Sequence, residues 1–132
     1  MFREAQNAVH DFHTAFRFPI PDSPHQLNKH RIELRAKWIE EELDELRKAT
    51  TLVDQVDAAV DIIYFALGIL VEAGVDGDTA FRHIHEANMS KLDAQGHPIY
   101  DEDGKVAKPA NWTSPRQRIE EWLSNISAIP DE

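Results

Sequence analysis

The stretch DAAVDIIYFALGIL, Asp57 to Leu70, is apolar around most of a helical circumference yet carries two carboxylates, Asp57 and Asp61. Val56, Ala59, Val60, Ile63, Ala66, Leu67 and Leu70 recur at the steps of a helix and not in the alternation of a strand. The spacing predicts a helix from about Leu52 to Ala73, with those residues inside a core and Gly74 as its stop. Asp61 sits among Val60, Ile62 and Ile63, where an unpartnered carboxylate is costly to bury. A helix this apolar belongs at the centre of an all-α fold, and Asp61 needs something to meet there.

The segment before it supplies a candidate. WIEEELDELRKA, Trp38 to Ala49, lies on a predicted helix from near Leu27 to Ala49, whose apolar stripe is Ile32, Ala36, Ile39, Leu43 and Leu46. At 100° per residue, Glu41 and Glu45 are about 40° apart, and Glu42 is about 60° from Glu45. These three project from one sector beside Leu43 and Leu46. Glu40 and Asp44 lie farther round and read as solvated charge, with Lys48 a partner for Asp44. On the following helix Asp54, Asp57 and Asp61 form one stripe. Carboxylates offered by two adjacent helices suit a hard cation, Mg²⁺ or alternatively Mn²⁺, bound through oxygen alone.

Three further helices complete the outline. Phe2, Ala5, Val9, Phe12 and Phe16 mark the first, ended by Pro19 and Pro21. Another starts near Asp76 or Asp78 and runs to about Leu92. Ser114-Pro115 caps the last, with Ile119, Trp122, Leu123 and Ile126 apolar. Between these two, Asp103-Gly104 lies between short extended pieces and predicts a small β-hairpin near residues 97–108. The expectation is one all-α domain over residues 1–132, a four- to five-helix bundle with one hairpin or loop excursion.

Composition narrows the chemistry. The chain has no cysteine, which removes thiolate catalysis and zinc–cysteine sites and fits a cytoplasmic setting. A formal charge of −10 argues against nucleic acid as partner, since a phosphate backbone needs a basic face. No apolar run is long enough for a membrane span. No helical glutamate has a histidine three residues on, so a di-iron bundle is not indicated. His10-Asp11 lacks the earlier histidine that an HD phosphohydrolase site requires, and there is no Gly-rich phosphate loop. Against the acidic background Lys91, Lys105 and Lys108 stand out as point charges for phosphate oxygens, with Asn88 one turn before Lys91. Trp112 is a candidate for stacking on a base or for anchoring its loop.

Taken in order, EELDEL (41–46), DIIYFALG (61–68), HEANMSKLD (85–93) and DGKVAKPANW (103–112) resemble the all-α nucleoside triphosphate pyrophosphohydrolases. That superfamily comprises MazG-like proteins, dimeric dUTPases and phosphoribosyl-ATP pyrophosphohydrolase, and the likeness is greatest to the last branch. The resemblance implies a MazG-like bundle completed by homodimerisation, or further assembly to a tetramer. It also implies Mg²⁺ held by Glu-x-x-Glu on one helix and Glu-x-x-Asp on the next. Carried over, Glu42, Glu45 and Asp61 are metal ligands, while Ala58 stands where the fourth carboxylate belongs and Asp57 is its candidate substitute.

The implied reaction is hydrolysis of a nucleotide between the α- and β-phosphates, giving a monophosphate and pyrophosphate, in sanitation of the nucleotide pool. Glu41 is the expected water-orienting carboxylate. Asn88, Lys91, Lys105 and Lys108 are the expected phosphate contacts. The alternative, motivated by Ala58, is a nucleotide-binding or regulatory helical module with weakened turnover. No spacing in the chain distinguishes one base or sugar from another.

Overall fold

A computed structural model describes residues 2–127. It holds five helices: α1 (Phe2–Phe16), α2 (Lys29–Lys48), α3 (Leu52–Ala73), α4 (Gly77–Met89) and α5 (Pro115–Ser127). The fold is all-α. Its one β feature among the described residues is an isolated antiparallel bridge between Tyr100 and Val106, inside the expected hairpin. The chain divides into two compact units, Met1–Asp78 and Thr79–Glu132.

Local chemistry sets the ends of the helices in the first unit. The Asn28 side chain accepts a hydrogen bond from the Arg31 N–H at 2.9 Å, so α2 starts at Lys29, two residues later than expected from Leu27. Thr51 caps α3 in the same way, accepting from the Asp54 N–H at 3.2 Å. Gly74 ends α3 with φ of 69°, a left-handed conformation that glycine adopts without a Cβ penalty. The turn that follows is tied to α1. Gln6 donates to the Val75 carbonyl at 2.8 Å and accepts from the Gly77 N–H at 2.6 Å, and Arg3 pairs with Asp76 at 3.0 Å.

α3 packs against both α1 and α2, as a central helix should. What it buries differs from the expected stripe. Val9, Leu67 and Val71 form the core cluster, with Phe2 and Leu70 packed on it. Val56, Val60 and Ile63, expected inside, are 53%, 53% and 50% exposed, and Leu52 and Val53 more so. Periodicity reveals that a helix has apolar faces but not what covers each of them, and α1 and α2 cover only part of α3.

The buried face of α2 is likewise not the expected one. Ile32 and Leu46 are exposed, whereas Arg35 is buried. Its guanidinium donates to the Glu72 carboxylate of α3, and a second nitrogen lies 2.9 Å from Nε2 of buried His13 on α1. Arg31 completes the cluster with bonds of 2.7 and 3.0 Å to the two Glu72 oxygens. An arginine can only donate, so His13 Nε2 accepts from Arg35 and its Nδ1–H donates to the Pro19 carbonyl, 3.1 Å away. Trp38 and Phe18 lie over the Arg35 guanidinium, at 4.9 and 5.8 Å. Gly68 lets the guanidinium pass, because a Cβ there would lie 2.3 Å from an Arg35 nitrogen.

In the second unit α4 ends at Met89, three residues short of the expected Leu92. The Asp101 N–H donates to the Lys105 carbonyl at 2.8 Å and the Ala107 N–H to Ile99 at 2.7 Å, closing the hairpin around Gly104 at φ of 79°. Ser114 opens α5, its hydroxyl accepting from the Gln117 N–H at 3.2 Å. On α4, His83 packs against Trp122 of α5 and His85 stacks on Phe81.

Candidate functional site

Glu42 and Glu45 are one turn apart on α2, on the side that meets α3, and Asp61 comes from α3. Each of the three offers an oxygen, and those oxygens all lie within 4.8 Å of one another. Glu42 and Asp61 are half-buried and Glu45 is exposed, so the cluster opens outward. One oxygen of Glu42, Oε2, is buried with no hydrogen-bond partner. Burial, and then the neighbouring Glu45 and Asp61 carboxylates, push the Glu42 carboxyl from an ordinary value near 4.5 up to about 7. A divalent cation among these oxygens would satisfy the orphaned atom and offset the mutual repulsion. The all-oxygen donor set suits a hard cation. The residues therefore fit the group that the fold implies.

The other acidic residues separate from this cluster. Asp57 is not among the three gathered carboxylates. It lines a neighbouring cavity of about 250 Å³ with Glu45, Lys48, Ala49 and Asp54. Ala58 is fully buried, 1% exposed, and contributes no ligand atom. Glu41 and Glu40 are exposed. Asp44 is paired with Arg47 at 2.9 Å and not with Lys48, because the i+3 arginine reaches it on the solvated face.

In the second unit Trp112 organises the loop. Its indole N–H donates to the Ala87 carbonyl at 2.7 Å, a carbonyl in the last turn of α4 that the Ser90 hydroxyl also bonds. The anchoring role expected of this residue is thus observed. The Lys108 and Lys91 ammonium groups lie 4.8 and 5.4 Å from the centre of its ring. Asn88 is exposed near the end of α4 and its carbonyl accepts from the Lys91 N–H at 3.2 Å. Lys105 is exposed on the hairpin, its backbone N–H held by Asp101 Oδ1 at 2.9 Å.

Sequence reasoning missed the cluster of His13, Arg31, Arg35 and Glu72. Its signal was present. Glu72 sits among the apolar residues of α3 as Asp61 does, and Arg31 and Arg35 are one turn apart on α2. Burial alone would raise the Glu72 carboxyl, but hydrogen bonds and charge from Arg31 and Arg35 outweigh it and hold the group below its ordinary value. In this cluster both Glu72 oxygens and the His13 ring nitrogens have partners, and it reads as a lock between helices.

No single helix among the described residues is long and apolar enough to cross a membrane. No curated protein matches the chain. A solved structure does: that of a protein from Exiguobacterium sp. 255-15, provisionally named an NTP pyrophosphohydrolase. It is 30% identical, with 93% of this chain and 96% of that one covered and a TM-score of 0.53. The profile of the phosphoribosyl-ATP pyrophosphohydrolase family matches residues 9–88, a span that contains Glu42, Glu45 and Asp61. The chain belongs to the phosphoribosyl-ATP pyrophosphohydrolase family.

Proposed function

We propose that the protein is a Mg²⁺-dependent nucleoside triphosphate pyrophosphohydrolase, cleaving a (d)NTP or related nucleotide to the monophosphate and pyrophosphate. The observation that carries this is the gathering of Glu42, Glu45 and Asp61 within 4.8 Å, with one buried Glu42 oxygen left unsatisfied. Family membership supports the reaction class.

In this reading Glu42, Glu45 and Asp61 hold the cation, with Mn²⁺ an acceptable substitute. When bound, the cation neutralises phosphate charge and acidifies water. Glu41, exposed on α2 beside Glu42, orients the attacking water and takes its proton. Water oxygen bonds to the α-phosphorus, the bond to the bridging oxygen breaks, and pyrophosphate leaves with the electron pair. Lys91, Lys105 and Lys108, with Asn88, offset charge on the phosphate chain. The bulk of the exposed α3 face, from Leu52 to Ile63, supports a second copy of the chain as its cover. A homodimer, or a tetramer built from it, is therefore part of the proposal, and sedimentation as a monomer would remove that part. A cytoplasmic setting, where nucleotide pools are met, belongs to the same reading, and fractionation checks it.

The test is a nucleotide panel with Mg²⁺ and detection of released pyrophosphate. Turnover should appear with at least one nucleotide, be lost in Glu42→Gln and Asp61→Asn, and fall roughly 10²- to 10⁴-fold in Glu41→Gln. Absence of pyrophosphate from a sample that binds Mg²⁺ would favour the second reading, a nucleotide-binding or regulatory module with weakened turnover. Buried Ala58 and the separation of Asp57 from the three gathered carboxylates favour that reading, since they leave three protein ligands in place of four.

A further inference from the structure

We infer that Trp112 is a positioning residue that holds Lys91 and Lys108 together as one binding pair for a pyrophosphate or polyphosphate group. The geometry starts from the end of α4. The Ala87 carbonyl lies in the last turn of that helix, and the Trp112 indole N–H bonds it at 2.7 Å, which fixes the plane of the ring. The hairpin then returns through Lys108 to Pro109, and the Trp112 N–H donates to the Pro109 carbonyl at 3.2 Å, so the chain between lysine and tryptophan is a short closed turn. Lys91, two residues beyond α4, meets the same ring from the helix side. Two ammonium groups from segments seventeen residues apart thus converge on one indole, at 5.4 and 4.8 Å from its centre.

Two like charges converge only where something compensates them. The electron-rich face of tryptophan does so in part. Neither ammonium is paired with a carboxylate among the described residues, although the chain has 24 acidic side chains against 14 lysines and arginines. Arg118 in the same unit, by contrast, is paired with Glu86. Neither ammonium has a protein counter-ion among the described residues, and a dianion matches the two in charge. Lysine ammoniums are mobile point charges on long stems, able to swing from the ring to phosphate oxygens. Lys105 makes no contact with the ring and is not a member of the pair. The indole that seemed a platform for a base is in this arrangement a post for two cations.

The inference rests on the hydrolase reading only for the origin of the phosphate group, so it is tested without turnover. Inorganic pyrophosphate, free of divalent cation, is titrated into the full chain and followed by calorimetry and by the indole N–H resonance of Trp112. That resonance is assigned from its loss in Trp112→Phe. Binding should shift this resonance. Lys91→Gln and Lys108→Gln should each weaken binding roughly fivefold to tenfold, and Lys37→Gln, at an exposed position of α2, should leave it unchanged. Trp112→Leu should weaken binding as much as loss of a lysine, and Trp112→Phe, which keeps an aromatic face but loses the N–H bond to Ala87, should fall between that variant and the unaltered chain. Absence of pyrophosphate binding would overturn the inference. So would a Lys37→Gln loss equal to that of Lys91→Gln, or a Trp112→Leu variant that binds as tightly as the unaltered chain. Pyrophosphate binding with the expected pattern, in a protein that hydrolyses no nucleotide, would overturn the proposed activity and leave the pair standing.

Discussion

α2 and α3 carry two polar clusters, and their electrostatics are opposite. Toward the start of α2 and the end of α3, Arg31, Arg35 and Glu72 meet with His13 from α1, and both Glu72 oxygens have arginine donors. Farther along the same pair, Glu42, Glu45 and Asp61 bring three carboxylates together with no arginine or lysine paired to them among the described residues, and a Glu42 oxygen has no partner. The first cluster is closed and complete within the chain. The second is open and incomplete, with a carboxyl pushed up to about 7. Both place acids among the apolar residues of one helix, so buried charge by itself does not indicate function. An unsatisfied one calls for an explanation, which the proposed cation supplies.

Removing one member of each cluster separates them most sharply. Glu72→Ala strands two arginines, one of them buried, and should cost about 3–5 kcal/mol of unfolding free energy, measured by denaturant titration. Glu42→Gln removes a repelled carboxylate and should leave the metal-free protein as stable as before or slightly more so, while abolishing pyrophosphate release. A Glu42→Gln variant destabilised as severely as Glu72→Ala would make the second cluster structural as well.

Acid should act on the closed cluster first through His13 and then through Glu72. Burial, followed by the Arg35 charge, keeps His13 below its ordinary value of 6.5, against the opposing pull of its Pro19 hydrogen bond and the Glu72 charge. Glu72 is held below its ordinary 4.5. For both groups the unfolded chain binds more protons than the folded one. The stability they contribute is therefore present above those ordinary values and is lost as pH falls through the lowered folded ones. The melting temperature should drop on acidification below pH 6.5 and drop again below 4.5. In Glu72→Gln the second step should shrink. An unchanged second step would remove Glu72 from this role.

Much of this was legible in the residues, and the parts that were not have physical causes. Helix existence followed from spacing, and the expected α3, about Leu52 to Ala73 with Gly74 as its stop, agrees with the observed Leu52–Ala73. The common sector of Glu41, Glu42 and Glu45 followed from 100° per residue; Glu42 and Glu45 meet Asp61 in space, whereas Glu41 is exposed and is not among the gathered three. Arg35 was not legible as a buried residue, because a charged side chain on an amphipathic helix is ordinarily solvated and its partners lie 22 and 37 residues away. The cover of Val56, Val60 and Ile63 was not legible either, since the pattern marks a face and leaves its neighbour unspecified. The neighbour of Asp57 depended on which way one turn of α3 faces at its start, a detail finer than a stripe.

The smallest effect tests the angular reading itself. Asp44 lies between Glu42 and Glu45 in sequence, yet it faces solvent, paired at 2.9 Å with Arg47, both side chains largely exposed. An exposed i,i+3 pair of this kind contributes about 0.2–0.5 kcal/mol. Asp44→Ala should therefore shift stability by no more than that and leave Mg²⁺ affinity and pyrophosphate release unchanged. The carboxylates two residues before it and one residue after it, Glu42 and Glu45, differ from it chiefly in azimuth around α2. If Asp44→Ala lowered metal affinity as Glu42→Gln is expected to, the general negative field of the acidic run, and not the convergence of three oxygens, would be what attracts the cation. High salt would then separate the two cases, because a diffuse field is screened within about 8–10 Å while inner contacts among half-buried oxygens are screened far less.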